Sequence, residues 1–237
     1  MKQVFDVYDI RARLAVVIFL VSPVLFSIYL QVESIRNIAS TTVIAIILMA
    51  LSNLLMVAIR DNGKYVYNKR EIMVKYLLPT DTHIDSGVKE RLYKFLGKVD
   101  ESFTILFEKK DDPVTEDYYN TCKSALNWLK EHSRESSIVS KENASYGFCR
   151  NLLGAKKVGI TVCLVILIIQ VLQFWIQFSF NISNVTEEYA LSFCMTTIYL
   201  FLWIFLVRKN IVEISAKCYA EALLLSFDKF IEASGIS

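Results

Sequence analysis

Four apolar runs, arranged as two close pairs, constrain this chain more than any motif in it. Residues 14–30 and 38–59 form the first pair, and residues 158–180 and 189–207 the second. A hydrocarbon core of about 30 Å requires roughly 17–25 apolar residues of helix. The runs meet that length. The sequence therefore predicts an all-α membrane protein with four transmembrane helices in two hairpins. Residues 60–157, rich in Lys, Arg, Asp and Glu, form a polar insert between the pairs. The expected organisation is an N-terminal hairpin over residues 1–60, a helical cytoplasmic insert over 61–155, a second hairpin over 156–209 and an amphipathic cytoplasmic helix over 210–237. Arg11 and Arg13 precede the first run as they would in a signal peptide, but no small-x-small cleavage pattern follows it. The first run is read as a retained span, with Pro23 near its middle.

The distribution of Lys and Arg sets the expected orientation. Residues 31–39 carry one basic residue, Arg36, and residues 181–188 carry none. Arg60, Lys64, Lys156 and Lys157 flank the insert, and Arg208 and Lys209 follow the last run. Both termini and the insert are expected in the cytoplasm. Net charge is only +2, so the chain as a whole is not a basic nucleic-acid binder.

The chemistry of most enzymes is missing. There is no phosphate-binding loop, dinucleotide fingerprint, nucleophile elbow or His-Glu-x-x-His motif. Cys122, Cys149, Cys163, Cys194 and Cys218 are scattered, and His83 and His132 are the only histidines, so structural thiols are expected and no metal site. No cofactor is expected. The spans hold no clear Asp, Glu or His, which argues against proton-coupled transport.

In the insert, residues 65–76 are read as a helix broken by Leu78-Pro79. A second helix is expected over 87–97, capped by Ser86, with Leu92, Phe95 and Leu96 inward and Lys89, Arg91, Lys94 and Lys98 in water. A third starts at Asp112-Pro113 and runs to Arg134, with Tyr119, Cys122, Leu126 and Leu129 on one stripe. Asp61-Asn62-Gly63 reads as a helix end. After the last span, Ile211, Ile214, Cys218, Ala222 and Leu225 recur at helical spacing.

Two sets of residues are candidates for function. Gln170, Gln173 and Gln177 follow one another at three and four residues in the third span, on one helical face. Polar side chains at membrane depth face a bundle interior or a water-filled path. A symmetric ring of such amides would line a weakly selective pore. The competing reading is that the amides bond neighbouring helices, with Ser52, Asn53, Thr196 and Thr197 as available partners. The second set is the basic series of the insert, Lys64, Lys69, Arg70, Lys75, Lys89, Arg91, Lys94 and Lys98, from which Arg91 and Lys94 are selected as ligand-binding residues. Interspersed acidic residues also fit an ordinary solvated face.

Three segments carry a resemblance. They are Tyr8-Asp9-Ile10-Arg11-Ala12-Arg13, then Leu77-Leu78-Pro79-Thr80-Asp81 with Ile84-Asp85 and Lys89-Glu90-Arg91-Leu92-Tyr93, and Glu142-Asn143-Ala144-Ser145-Tyr146-Gly147-Phe148-Cys149-Arg150-Asn151-Leu152-Leu153-Gly154-Ala155-Lys156. Together they resemble a widespread family of bacterial four-span membrane proteins. Cys149 stands where that pattern has Arg. The chain is similar to the membrane channel effectors of the Hailong anti-phage defence system, whose partner nucleotidyltransferase makes an oligonucleotide signal. The resemblance implies a gated, tetrameric ion channel of the bacterial inner membrane, with the insert as oligonucleotide sensor. Tyr146-Gly147, where the insert joins the third span, reads as a hinge because glycine permits φ values other residues avoid, or as a packed helix entry with aromatic residues at the headgroups. A non-conducting membrane scaffold that recruits a cytoplasmic partner is the alternative.

Overall fold

The computed structural model describes residues 10–31, 43–44, 55, 57–59, 61–63, 69–110 and 115–227. Among them every regular element is helical. A π-helical turn, Ile10–Leu14, leads into α1 (Ala15–Gln31). Then follow α2 (Lys69–Leu77), α3 (Ser86–Val99), a 3-10 turn (Glu101–Phe103), α4 (Ile105–Glu108) and α5 (Glu116–His132). The long α6 (Ser137–Phe178) is followed by a 3-10 turn (Ile182–Asn184), α7 (Glu187–Phe201), a π-helical turn (Leu202–Leu206) and α8 (Lys209–Leu225).

Three stretches are long and apolar enough to cross a membrane: Ala12–Gln31, Ser137–Phe178 and Glu187–Leu206. They correspond to the first, third and fourth apolar runs. Most of the second, residues 38–59, lies outside the described residues, although residues 43–44, 55 and 57–59 are helical. The chain divides into two compact units: residues 1–67 with 147–211, and residues 68–146 with 212–237.

In the first unit α1 packs along α7. Val16, Val17, Leu20 and Pro23 are buried on α1, Tyr189, Ser192 and Thr196 on α7, and Trp203 in the π-helical turn that follows α7. Pro23 does not end α1. The buried face of α6 runs through Ala155, Gly159, Cys163, Ile166 and Gln170, at the three-to-four residue period of a helix packed on one side. Two glycines set its close contacts. A Cβ on Gly154 would lie 2.6 Å from Gly63 N and 2.9 Å from Ile59 O, and one on Gly159 would lie within the Trp203 indole. The expected helix end after Asp61-Asn62-Gly63 falls on residues 64–68, outside the described residues. Residues 61–63 are helical, and Gly63 is buried against the α6 backbone at Arg150. The glycine at this position provides room for the α6 backbone. The motif residue Asn151 is buried and donates from Nδ2 to Ala12 O at 2.7 Å, beside the π-helical turn.

α6 ends in a strained turn. Ser179 and Phe180 both have positive φ, 49° and 58°, a region costly for L-residues. The rings of Phe174, Phe178, Phe180 and Tyr189 cluster around it at centroid distances of 5.2–6.4 Å. Asn181 and Thr186 cap the elements that follow.

In the second unit, α2 packs on α5, and α4 packs on both α3 and α5. Their shared core includes Met73, Leu77, Leu92, Leu96, Leu106, Tyr118, Cys122 and Leu129. Asp85, not Ser86, caps α3, because its carboxylate accepts from Gly87 N and Val88 N. Thr115 caps α5; the expected Asp112-Pro113 start lies outside the described residues. On α5 the inward tyrosine is Tyr118, whose hydroxyl donates to Leu106 O at 3.1 Å, while Tyr119 is half-buried. Lys89 is buried rather than in water. Its ammonium donates to Leu78 O at 2.7 Å, to Asp81 O and to Asp81 Oδ2 at 3.2 Å. It thereby adds a donor to Leu78 O, which also accepts from Asp81 N, and to Asp81 O just past the end of α2. The predicted stripe on the last helix is also out of phase. Val212, Ala216, Tyr219, Ala220, Leu223 and Leu224 are buried on α8, whereas Ile214 is 55% and Leu225 46% exposed.

Candidate functional site

The three glutamines occupy different environments. Gln170 is wholly buried. Its Nε2 donates to Ser192 Oγ at 2.9 Å and to Thr196 Oγ1 at 3.4 Å, and its backbone carbonyl accepts from Tyr189 Oη at 2.7 Å. Gln31, at the end of α1, donates to the same Ser192 Oγ at 3.1 Å and to Ser27 Oγ at 3.3 Å. One hydroxyl thus joins amides from α1 and α6 to α7. Sequence reasoning named Thr196 as a partner but missed Gln31, Tyr189 and Ser192. Gln31 stands at the predicted end of the first run, where an amide reads as a loop residue.

Gln173 is half-buried and Gln177 exposed, and they bond one another, Gln173 Nε2 to Gln177 Oε1 at 3.1 Å. Around them the outer face of α6 is apolar: Ile168, Ile169, Leu172, Trp175 and Ile176 are 47–75% exposed. Each amide retains polar atoms that hydrocarbon does not satisfy. The pair requires water or another polar surface beside it; Gln170 Nε2 is satisfied inside the hairpin, whereas its buried Oε1 has no partner among the described residues.

On the second unit, Arg91 and Lys94 are exposed on α3. Lys94 Nζ lies 3.3 Å and Lys110 Nζ 3.5 Å from the same Glu90 Oε1. Both ammonium groups also lie over the Phe107 ring, at 5.0 and 4.9 Å. The Lys94 hydrogen bond, followed by the charges of Lys110 and Lys94, holds the Glu90 carboxyl below its usual range. Lys94 is therefore partly neutralised, whereas Arg91 has no acidic partner among the described residues. A recess of about 200 Å³ lined by Pro79, Ser86, Lys89, Glu90, Tyr93 and Lys110 adjoins them. It is smaller than the roughly 300–1,000 Å³ of ordinary ligand pockets, so a larger anion would lie across the surface. Sequence reasoning did not find Lys110 or Phe107, because the α3–α4 contact that places them is tertiary.

His83 Nε2 lies 2.7 Å from Glu221 Oε1, tying the loop after α2 to α8. Burial, followed by the charges of Asp81, Glu213 and Glu221, raises the pKa of nearby Tyr76. Burial also pushes the Cys122 thiol up to about 12, the state of an inert core thiol. No group of three His, Cys, Asp or Glu side chains among the described residues is arranged to hold a metal.

Among the described residues every regular element is helical, and three helices have the length and apolarity to cross a membrane, the character of a membrane protein. Comparison with family models, curated proteins and solved structures finds no match.

Proposed function

We propose that this chain is the subunit of a homo-oligomeric, tetrameric ion channel, without enzymatic activity, in a bacterial inner membrane. The observation that carries this reading is the Gln173–Gln177 pair on the otherwise apolar outer face of α6. Symmetric copies bring these amides to a common axis, where water satisfies them and ions pass. Gln170 drops out of the lining and becomes an internal tie of the subunit. The insert acts as sensor for an oligonucleotide made by a partner nucleotidyltransferase, with Arg91 and Lys94 on the recognition surface, and the channel serves anti-phage defence. The resemblance described above supports the sensor and defence roles. A ligand shifts the gate only by binding its two states unequally.

Ion flux through liposomes holding the purified full chain, with and without short oligonucleotides, tests the proposal. Oligonucleotide-dependent flux supports it. Absence of flux from folded, oligomeric protein sinks it and favours the scaffold. The Gln170–Ser192–Gln31 bonds favour that second reading, since they show that amides in these helices hold the subunit together.

A further inference from the structure

The charges of residues 147–211 are segregated. The acidic residues there are Glu187 and Glu188, at the start of α7, whereas Lys156, Lys157, Arg208 and Lys209 lie at the other end of the helix pair. The structure draws these cations together. Lys156 Nζ donates to Val207 O at 2.7 Å and Ile204 O at 3.1 Å, which brings it beside the residue preceding Arg208. Lys157, Arg208 and Lys209 are exposed, and none has an acidic partner among the described residues. The Arg208 guanidinium lies 6.0 Å from the Phe205 ring centroid. Exposed apolar side chains run directly into this cluster: Val158 is 40%, Ile204 39%, Phe205 52% and Leu206 57% exposed.

We infer that this end of the α6–α7 pair binds the headgroup of an anionic phospholipid. A phosphodiester supplies the negative charge that Lys157, Arg208 and Lys209 lack. The lipid's acyl chains lie on the exposed apolar surface of the same helices, a complement that a free phosphate does not offer. Basic pockets at transmembrane helix ends recognise acidic lipids by this combination. Lys156, occupied by two carbonyls, holds the last turn in place and positions the cluster. The inference requires the chain to lie in a membrane but not to conduct ions, so it stands or falls separately from the channel reading.

Native mass spectrometry of the full-length protein in detergent, with equal phosphatidylglycerol and phosphatidylcholine, tests this. The wild type should retain phosphatidylglycerol in excess. Lys157→Gln, Arg208→Gln and Lys209→Gln combined should erode that excess by roughly fivefold per charge removed, and Arg208→Gln alone should show a partial loss. Lys98→Gln, in the other unit, should leave it unchanged. An undiminished excess in the triple variant, or equal loss in Lys98→Gln, overturns the site. Displacement of the retained lipid by millimolar inorganic phosphate overturns the assignment to a lipid.

Discussion

Gln170 donates to Ser192 across 2.9 Å in the interior of the hairpin, and the same Ser192 hydroxyl accepts from Gln31. Buried interhelical bonds of this kind contribute about 0.6–2 kcal/mol each in membranes. Gln170→Leu removes the contacts to Ser192 and Thr196, so the hairpin should lose on the order of 1–2 kcal/mol. Unfolding of the purified protein in detergent measures the loss.

Gln173→Leu should behave in the opposite way. Its amide bonds only Gln177 among the described residues, so stability should change by less than about 0.5 kcal/mol. If the pair faces a pore, unitary conductance in planar bilayers changes. Unaltered conductance in an active channel would remove Gln173 from the lining.

Gly154→Ala tests the contact with Gly63. The added methyl would lie 2.6 Å from Gly63 N and 2.9 Å from Ile59 O, which are backbone atoms and cannot rotate away. The variant should lose about 1–3 kcal/mol through overpacking, read as a lower thermal midpoint in detergent. Ser179→Gly should do the reverse. It relieves a φ of 49° and should stabilise by about 1 kcal/mol.

Lys89→Met leaves Leu78 O and both Asp81 acceptors without their ammonium donor. Breaking a buried charge pair on one side costs about 3–5 kcal/mol. Chemical denaturation followed by tryptophan fluorescence should show a lower midpoint than in Lys94→Met, where an exposed lysine is lost.

Cys122 gives a pH prediction. Burial raises its thiol from an ordinary 9.0 to about 12. Folding therefore favours the protonated form. The associated stability is fully present below about pH 9 and declines as pH rises toward 12. A variant keeping Cys122 as its only cysteine should resist thiol reagents at pH 8 while folded and react at once in denaturant. Rapid labelling of the folded protein would refute the burial argument.

The sequence by itself determined the helical class, three of the apolar spans, the break after α2, the Leu92-Phe95-Leu96 face of α3 and the Cys122-Leu126-Leu129 stripe of α5. These follow from local rules, namely length of apolar run, period and turn chemistry, which need no knowledge of what packs where. Local rules failed where a distant residue set the outcome. Position 63 requires glycine because α6 passes too close for a side chain. Lys89 is buried because Leu78 O, Asp81 O and the Asp81 carboxylate converge on its ammonium. The α8 stripe is out of phase because aromatic and alanine positions, not the isoleucines, face its neighbours. The three glutamines look equivalent at a spacing of three and four. Only tertiary packing separates them, since Ser192 and Thr196 of α7 stand opposite Gln170, while Gln173 and Gln177 bond each other on the outer face.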